Sequence, residues 1–222
     1  IFSGLLSMDP WDWHPSTAPT RDQRARVSGG SLALSDLSVE KLRKAIDAFT
    51  PDHPKEIEIT RFRGHYFVVA GAGVVSLDEP KFGAKDQLPA DLMVGAANIA
   101  MQSVPIEGMT WLDQYDAYYY DRDGELSLPV LRVRYADPQH TWLYFDPKRG
   151  TIARKEEQLT RLNRWLYHGF HSLDFPFLYY KRPLWDIVVI ALSIGGIVLS
   201  ATTLTASWRR VRRNLPTVGS RS

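Results

Sequence analysis

Residues 56–70 read EIEITRFRGHYFVVA. Apolar and polar side chains alternate on either side of Arg63-Gly64. That is the pattern of two strands, each with one face on a core, joined by a tight turn. Gly71-Ala72-Gly73 predicts a second turn and residues 74–77 a short third strand. The Gly71-x-Gly73 pair is not a nucleotide loop, because no helical pattern follows it.

Working outward, the segment before this hairpin predicts a helix. Ser38 is a plausible N-cap, Leu42, Ile46 and Phe49 form one apolar stripe, and Pro51 stops the run. Glu40 and Lys44 add an i,i+4 pair. On the other side, residues 89–102 predict a second helix, with Pro89 in its first turn and Leu92, Ala96 and Ile99 on one face. Strand signals follow at residues 115–120, 130–136, 141–145 and 151–156. A helix followed by antiparallel strands thus occurs twice. The expected class is α+β, with one unit over residues 31–87 and a second over 88–157.

Residues 184–208 (LWDIVVIALSIGGIVLSATTLTASW) have a different composition. A single charge, Asp186, stands near their start. A helix of roughly 20 apolar residues crosses a hydrocarbon core of about 30 Å. Arg209, Arg210, Arg212 and Arg213 follow at once, and Arg-rich flanks stay in the cytoplasm. The expected topology puts the tail, residues 209–222, in the cytoplasm and residues 9–180 outside. The compartment is then the periplasm of a Gram-negative cell, with the anchor in its inner membrane. Gly195, Gly196, Ser200, Thr203 and Ser207 give this helix a small-residue face suited to close packing. Its expected partner is an upstream helix or a second copy of the chain. Residues 1–8 (IFSGLLSM) are apolar and too short to span, and are expected to be the outer end of such an upstream helix. Residues 9–30 are expected to be a linker, and residues 158–183 an interfacial helix with a pre-membrane segment.

The chain has 27 Lys and Arg against 25 Asp and Glu, a net charge of +2, and no Cys. Near-neutral charge offers no reason to expect nucleic acid. The absence of Cys excludes disulfides, thiolate zinc sites, iron–sulfur ligation and covalent c-type haem attachment. No G-x-S-x-G, H-E-x-x-H or Walker pattern occurs, so no hydrolase chemistry is expected. The acidic turn at residues 121–125 (DRDGE) lacks the ligand spacing of an EF-hand loop.

The helix-then-strands pattern, closing on Leu143-Tyr144-Phe145-Asp146-Pro147-Lys148-Arg149-Gly150-Thr151-Ile152, resembles a PepSY domain. Residues 161–186 (RLNRWLYHGFHSLDFPFLYYKRPLWD), leading into the apolar segment, resemble the PepSY-associated transmembrane proteins. Ser3-Gly4-Leu5-Leu6-Ser7-Met8 resembles the outer end of their first helix. That resemblance implies a membrane-anchored protein with a role in iron or haem handling, including electron transfer to ferric complexes. If it is an enzyme, the implied class is a haem-dependent ferric or ferrisiderophore reductase. The alternative it implies is a non-enzymatic module that restrains or chaperones a periplasmic protease or envelope partner.

His168 and His171 are the candidate cofactor ligands. In a helix, i and i+3 share a face, and haem iron takes neutral imidazoles in a low-dielectric pocket. In the resembling reductases, membrane-helix histidines hold haem, and His171 is the better match. The other reading makes both histidines interfacial anchors beside Trp165, Tyr167, Tyr179 and Tyr180. His65 and His140 stand at turn-to-strand junctions in the two repeats. They read either as a metal pair or as exposed turn residues. His14 and His53 each precede Pro and read as loop.

Overall fold

The alternation around Arg63-Gly64 forms a hairpin in the computed structural model. β1 (Ile57–Phe62) pairs antiparallel with β2 (His65–Ala70), and β2 with β3 (Gly73–Ser76). Arg63 and Gly64 take positive φ at the turn. The structure describes residues 13–49, 54–71, 73–78, 84–121, 126–170, 173–175, 178, 181 and 183–214. It divides into two compact units, Ile1–Leu166 and Tyr167–Ser222.

In the first unit a second antiparallel sheet follows in the order β4 (Ile106–Leu112), β5 (Val130–Tyr135), β6 (Trp142–Asp146) and β7 (Thr151–Glu156). The two sheets share one core. Phe67, Val69 and Val74 from the first sheet meet Leu131, Val133, Leu143 and Phe145 from the second, all in one buried cluster. The two expected α+β units are therefore halves of one packed body. Helix α3 (Ala90–Ala100) belongs to the same cluster through Met93, Ala96, Ala97 and Ala100. That seam is rotated from the expected Leu92-Ala96-Ile99 face. Three alanines carry no side chain beyond Cβ, so backbone and core approach closely there.

β2 is buried on both faces, and its alternation sends side chains to different cores. Phe67 and Val69 enter the shared core; Tyr66, Val68 and Ala70 enter a second one under helix α2 (Val39–Asp47). On that helix the buried contacts come from Ala45 and, just past its end, Phe49, with Leu42 and Ala48 at the margin. Ile46, expected on the stripe, is exposed. Glu40 and Lys44 do pair, at 2.7 Å, and that hydrogen bond holds the Glu40 carboxyl below its ordinary range.

Residues 14–30 are not simply a linker. They contain helix α1 (Arg21–Ser28), started by a capping box in which Thr20 Oγ1 accepts from Gln23 N and Gln23 Oε1 from Thr20 N. Gly29, left-handed, ends it. Its last carbonyls are satisfied by the hairpin turn: Val27 O accepts from Arg63 N at 2.7 Å and Ser28 O from Gly64 N at 2.9 Å. Upstream, Thr17 O accepts from Lys155 N at 2.8 Å, so this segment covers the β7 edge.

Residues 115–120 are not a strand. Asp116 Oδ1 accepts from the backbone N–H of Tyr118 and Tyr119 and winds the chain into a turn. That turn lays Tyr119 on Tyr144, with ring centroids 4.9 Å apart and planes 19° off parallel. Nearby, Arg132 and Arg161 lie over the Trp142 ring, and Arg164 lies over Tyr120 at 4.3 Å. Arginine–aromatic packing thus closes the outer face of the second sheet. The strand that replaces the expected one is β4, which starts nine residues earlier than the expected signal and is bulged between Ile106 and Gly108.

Helix α4 (Gln158–Asn163) runs into a π-helical turn, Arg164–Gly169. The second unit contains helix α5 (Leu184–Asn214). It is long and apolar enough to cross a membrane, with a mean hydropathy of 2.3 in its most apolar window and none of that window buried. Residues 1–8, the expected end of an earlier helix, lie outside the described residues.

Candidate functional site

A cleft of about 310 Å³ lies at the β3 edge of the first unit, beneath the first turn of α3. Its position follows from the strands. His65 and Phe67 on β2, and Val74 and Ser76 on β3, share the face that looks toward α3. The strand order ends at β3, where Lys85 bridges to Val74. Leu88 and Leu92 bring the loop and helix across to form the opposite wall.

The floor is apolar: Phe67 is 4%, Val74 3% and Leu88 2% exposed. The rim is polar. His65 Nδ1 lies 2.9 Å from Asp78 Oδ2, and both side chains are about half exposed, 54% and 46%. Asp91, in the first turn of α3, and Lys85 complete the rim. An apolar floor with a few convergent polar groups is the usual form of a small binding site.

Ser76 lies in the same cleft as His65 and Asp78, which raises nucleophilic catalysis. The geometry does not assemble it. The Ser76 hydroxyl accepts from Asp78 N at 3.2 Å, and among the described residues it has no other bond. A nucleophile needs its base within about 2.6–3.2 Å of the hydroxyl.

The expected candidates fall in different places. His65 is drawn to Asp78, across its own sheet. His140 closes the β5–β6 turn at φ 48°, its N–H donating to Asp137 O at 2.9 Å. The two histidines thus terminate separate hairpins on separate sheets. Among the described residues no group of three or more His, Cys, Asp or Glu side chains could hold a metal ion. Of the two candidate haem ligands, the described residues include His168 alone, and His171 lies outside them. His168 sits on the π-helical turn, its ring edge-on to Tyr167 with centroids 5.3 Å apart, and its carbonyl accepts from Asp174 N. His53, like most of the acidic turn (residues 122–125), lies outside the described residues. Asp121, at the start of that turn, accepts from Leu126 N at 2.7 Å.

Gly195, Gly196, Ser200, Thr203 and Ser207 all lie on α5, and all are exposed. The Thr203 hydroxyl is satisfied within the helix, donating to Leu199 O at 2.9 Å. Polar side chains that bond their own helix can face lipid or a partner helix without an unpaired group.

The cleft was legible only in part. The sequence placed His65 at a turn-to-strand junction, but nothing in the spacing from residue 65 to 78 announces the pair. Register puts them together: Phe67 opposite Ser76 places position 65 opposite position 78. No protein-family model, characterised protein or solved structure matches the chain.

Proposed function

We propose that this chain is a membrane-anchored, PepSY-like binding module. Helix α5 anchors it in the inner membrane, the Arg-rich end of that helix stays in the cytoplasm, and the two-sheet unit works in the periplasm. It holds a protein partner there, at the β3-edge cleft. The observation that carries this reading is the cleft itself: an apolar floor of Phe67, Val74 and Leu88 under a rim that carries the His65–Asp78 pair. The resemblance supports the envelope setting and the non-enzymatic role.

The test is site-directed photo-crosslinking in intact cells. A benzophenone side chain at Gln87, which lines the cleft, should give a discrete adduct in the membrane fraction. The same group at Lys44, exposed on α2 against the other face of the first sheet, should give none. Equal labelling from both positions, or none from either, would remove the binding reading.

A second reading keeps the iron and haem role that the resemblance implies. One observation favours it: His168 lies on a π-helical turn, a geometry frequent at functional sites. Full-length protein from haem-replete cells would then show a Soret band that His168→Ala or His171→Ala shifts, because an axial ligand sets the iron's ligand field. A colourless protein leaves both histidines as interfacial anchors.

A further inference from the structure

The arginine–aromatic layer on the outer face of the second sheet leaves two guanidinium groups without a counter-ion. Arg134, on β5, has Gly108 of β4 on one side and Trp142 of β6 on the other. Gly108 gives it a seat. A Cβ there would stand 2.9 Å from Arg134 Nη2, so the guanidinium lies close against the β4 backbone. The side chain is partly buried, and its Nε is buried with no hydrogen-bond partner. Arg161, from α4, stacks over the Trp142 ring at 4.4 Å and donates to the Glu156 carbonyl at 3.3 Å. Among the described residues neither arginine makes an ion pair. The carboxylates nearby are taken. Asp116 holds Arg132 at 2.9 Å, Glu156 holds Arg154 at 2.7 Å and Glu157 holds Lys155 at 2.6 Å. Asp121 accepts from Leu126 N, and Asp137 from Thr141. Glu107 and Asp113, at the two ends of β4, are exposed and pair with neither arginine. A partly buried guanidinium without an acceptor keeps the cost of its lost hydration. An anion brought from outside the chain removes that cost.

We propose that this face rests on the bilayer surface, where Arg134 and Arg161 take the phosphate groups of anionic lipids. The inference goes beyond the cleft and rests only on the anchoring half of the function proposed above. Guanidinium is the side chain that matches phosphate, through paired N–H···O bonds. Amphipathic rings stand beside the two arginines. Tyr118 meets Trp142 edge-on with centroids 5.5 Å apart, and Trp165 Nε1 donates to the Tyr118 hydroxyl at 3.2 Å. Rings with an apolar body and a polar edge settle at the headgroup level. The chain also favours lipid over a soluble anion. Only residues 167–183 join this unit to α5. An anchored tether of that length holds the bilayer at high effective concentration, so weak contacts suffice.

The test uses the full chain in nanodiscs of phosphatidylcholine alone or of an equimolar mixture with phosphatidylglycerol. Each carries a trace of lipid with a nitroxide on its headgroup. The chain has no Cys, so Thr110→Cys takes a single bimane label. Thr110 is exposed on the outer face of β4, two residues from Gly108. Lys44→Cys, on α2, is the control. Bimane at position 110 should be quenched in the mixed lipid and far less in phosphatidylcholine, while at position 44 it should stay bright in both. Arg134→Gln and Arg161→Gln should each lower the ratio of docked to free protein about fivefold, the usual effect of one basic residue at an anionic surface. Molar salt, which confines charge interactions to about 3 Å, should release the face. The comparison of the two lipids needs neither arginine variant and decides the matter should one of them fail to fold. Equal quenching at the two positions, or quenching indifferent to phosphatidylglycerol, would overturn the contact. Inorganic phosphate, titrated against the chain in neutral detergent micelles, separates the other source. Thermal stabilisation by phosphate that Arg134→Gln removes, with no quenching in nanodiscs, would make this a site for a soluble anion and overturn the lipid contact. A chain that enters the nanodisc without quenching sinks this inference alone. One that stays out of the bilayer removes the anchor as well.

Discussion

Gly73 sits directly against the Lys85 carbonyl, so that a Cβ at position 73 would collide with it. The absence of a side chain is what lets Lys85 come down onto Val74 and close the first part of the β3 edge. Gly73→Ala should force that bridge apart. Overpacking of a fixed site typically costs about 1–3 kcal/mol. Urea unfolding of the variant should show a loss in that range, with faster amide exchange at Val74 and Lys85. An unchanged midpoint would mean that the loop shifts freely and that the bridge does not define the edge.

The face of α2 can be tested with two substitutions. Phe49 is fully buried beneath the first sheet, whereas Ile46 is exposed. Phe49→Ala should cost about 3–5 kcal/mol through lost burial and the cavity left behind. Ile46→Asp should stay within about 0.5 kcal/mol, as most surface changes do. Denaturation midpoints decide it. Comparable losses would restore the Leu42-Ile46-Phe49 stripe that periodicity alone predicts.

Alkaline pH should unfold the first unit by a defined route. Burial pushes the phenols of Tyr119, Tyr135 and Tyr144 well above the ordinary tyrosine value, and nearby Asp146 and Asp116 add to it for Tyr119 and Tyr144. A raised folded-state pKa means the folded chain holds its proton longer than the unfolded chain. Stability is therefore level below the unfolded value of about 10 and falls above it, by up to about 1.4 kcal/mol per pH unit for each such tyrosine. Tyr135 also donates to Ala97 O at 2.7 Å. Tyr135→Phe should lower stability by about 1 kcal/mol at neutral pH, the usual net value of one hydrogen bond. It should also make the alkaline slope shallower. An unchanged slope would place the ionisation elsewhere.

The first unit has its own shared core, and its described clusters draw on no residue beyond Leu166. A fragment of residues 13–166 should fold without the apolar helix. It should melt cooperatively by circular dichroism and elute as a compact species. A broad, non-cooperative melt would show that the helix takes part in the core.

The proposed orientation rests on the Arg cluster at the end of α5. A reporter active only in the periplasm should be silent after Ser222 and active at Ser28. The reverse pattern would overturn the orientation, and the periplasmic setting of the cleft with it.

Local rules sufficed where the structural cause is local. Residues 56–70 needed only alternation and a Gly-containing turn to be read as a hairpin, and residues 184–208 needed only length and hydropathy to be read as a helix able to span a membrane. The capping box at Thr20 and Gln23 was equally local, yet a polar composition masked it as linker. What required the tertiary structure was every choice between faces. Periodicity predicted Leu92, Ala96 and Ile99 for α3, but two sheets closing on one core favour the alanine-rich seam, because small side chains allow the closest approach. Residues 115–120 have strand propensity, yet the Asp116 carboxylate, by taking the backbone N–H groups of Tyr118 and Tyr119, winds them into a turn that stacks Tyr119 on Tyr144. The cleft lies furthest from the sequence. His65 and Asp78 meet only through the register of β2 and β3. Pairing between strands sets which atoms face outward, and no single stretch of the chain encodes that.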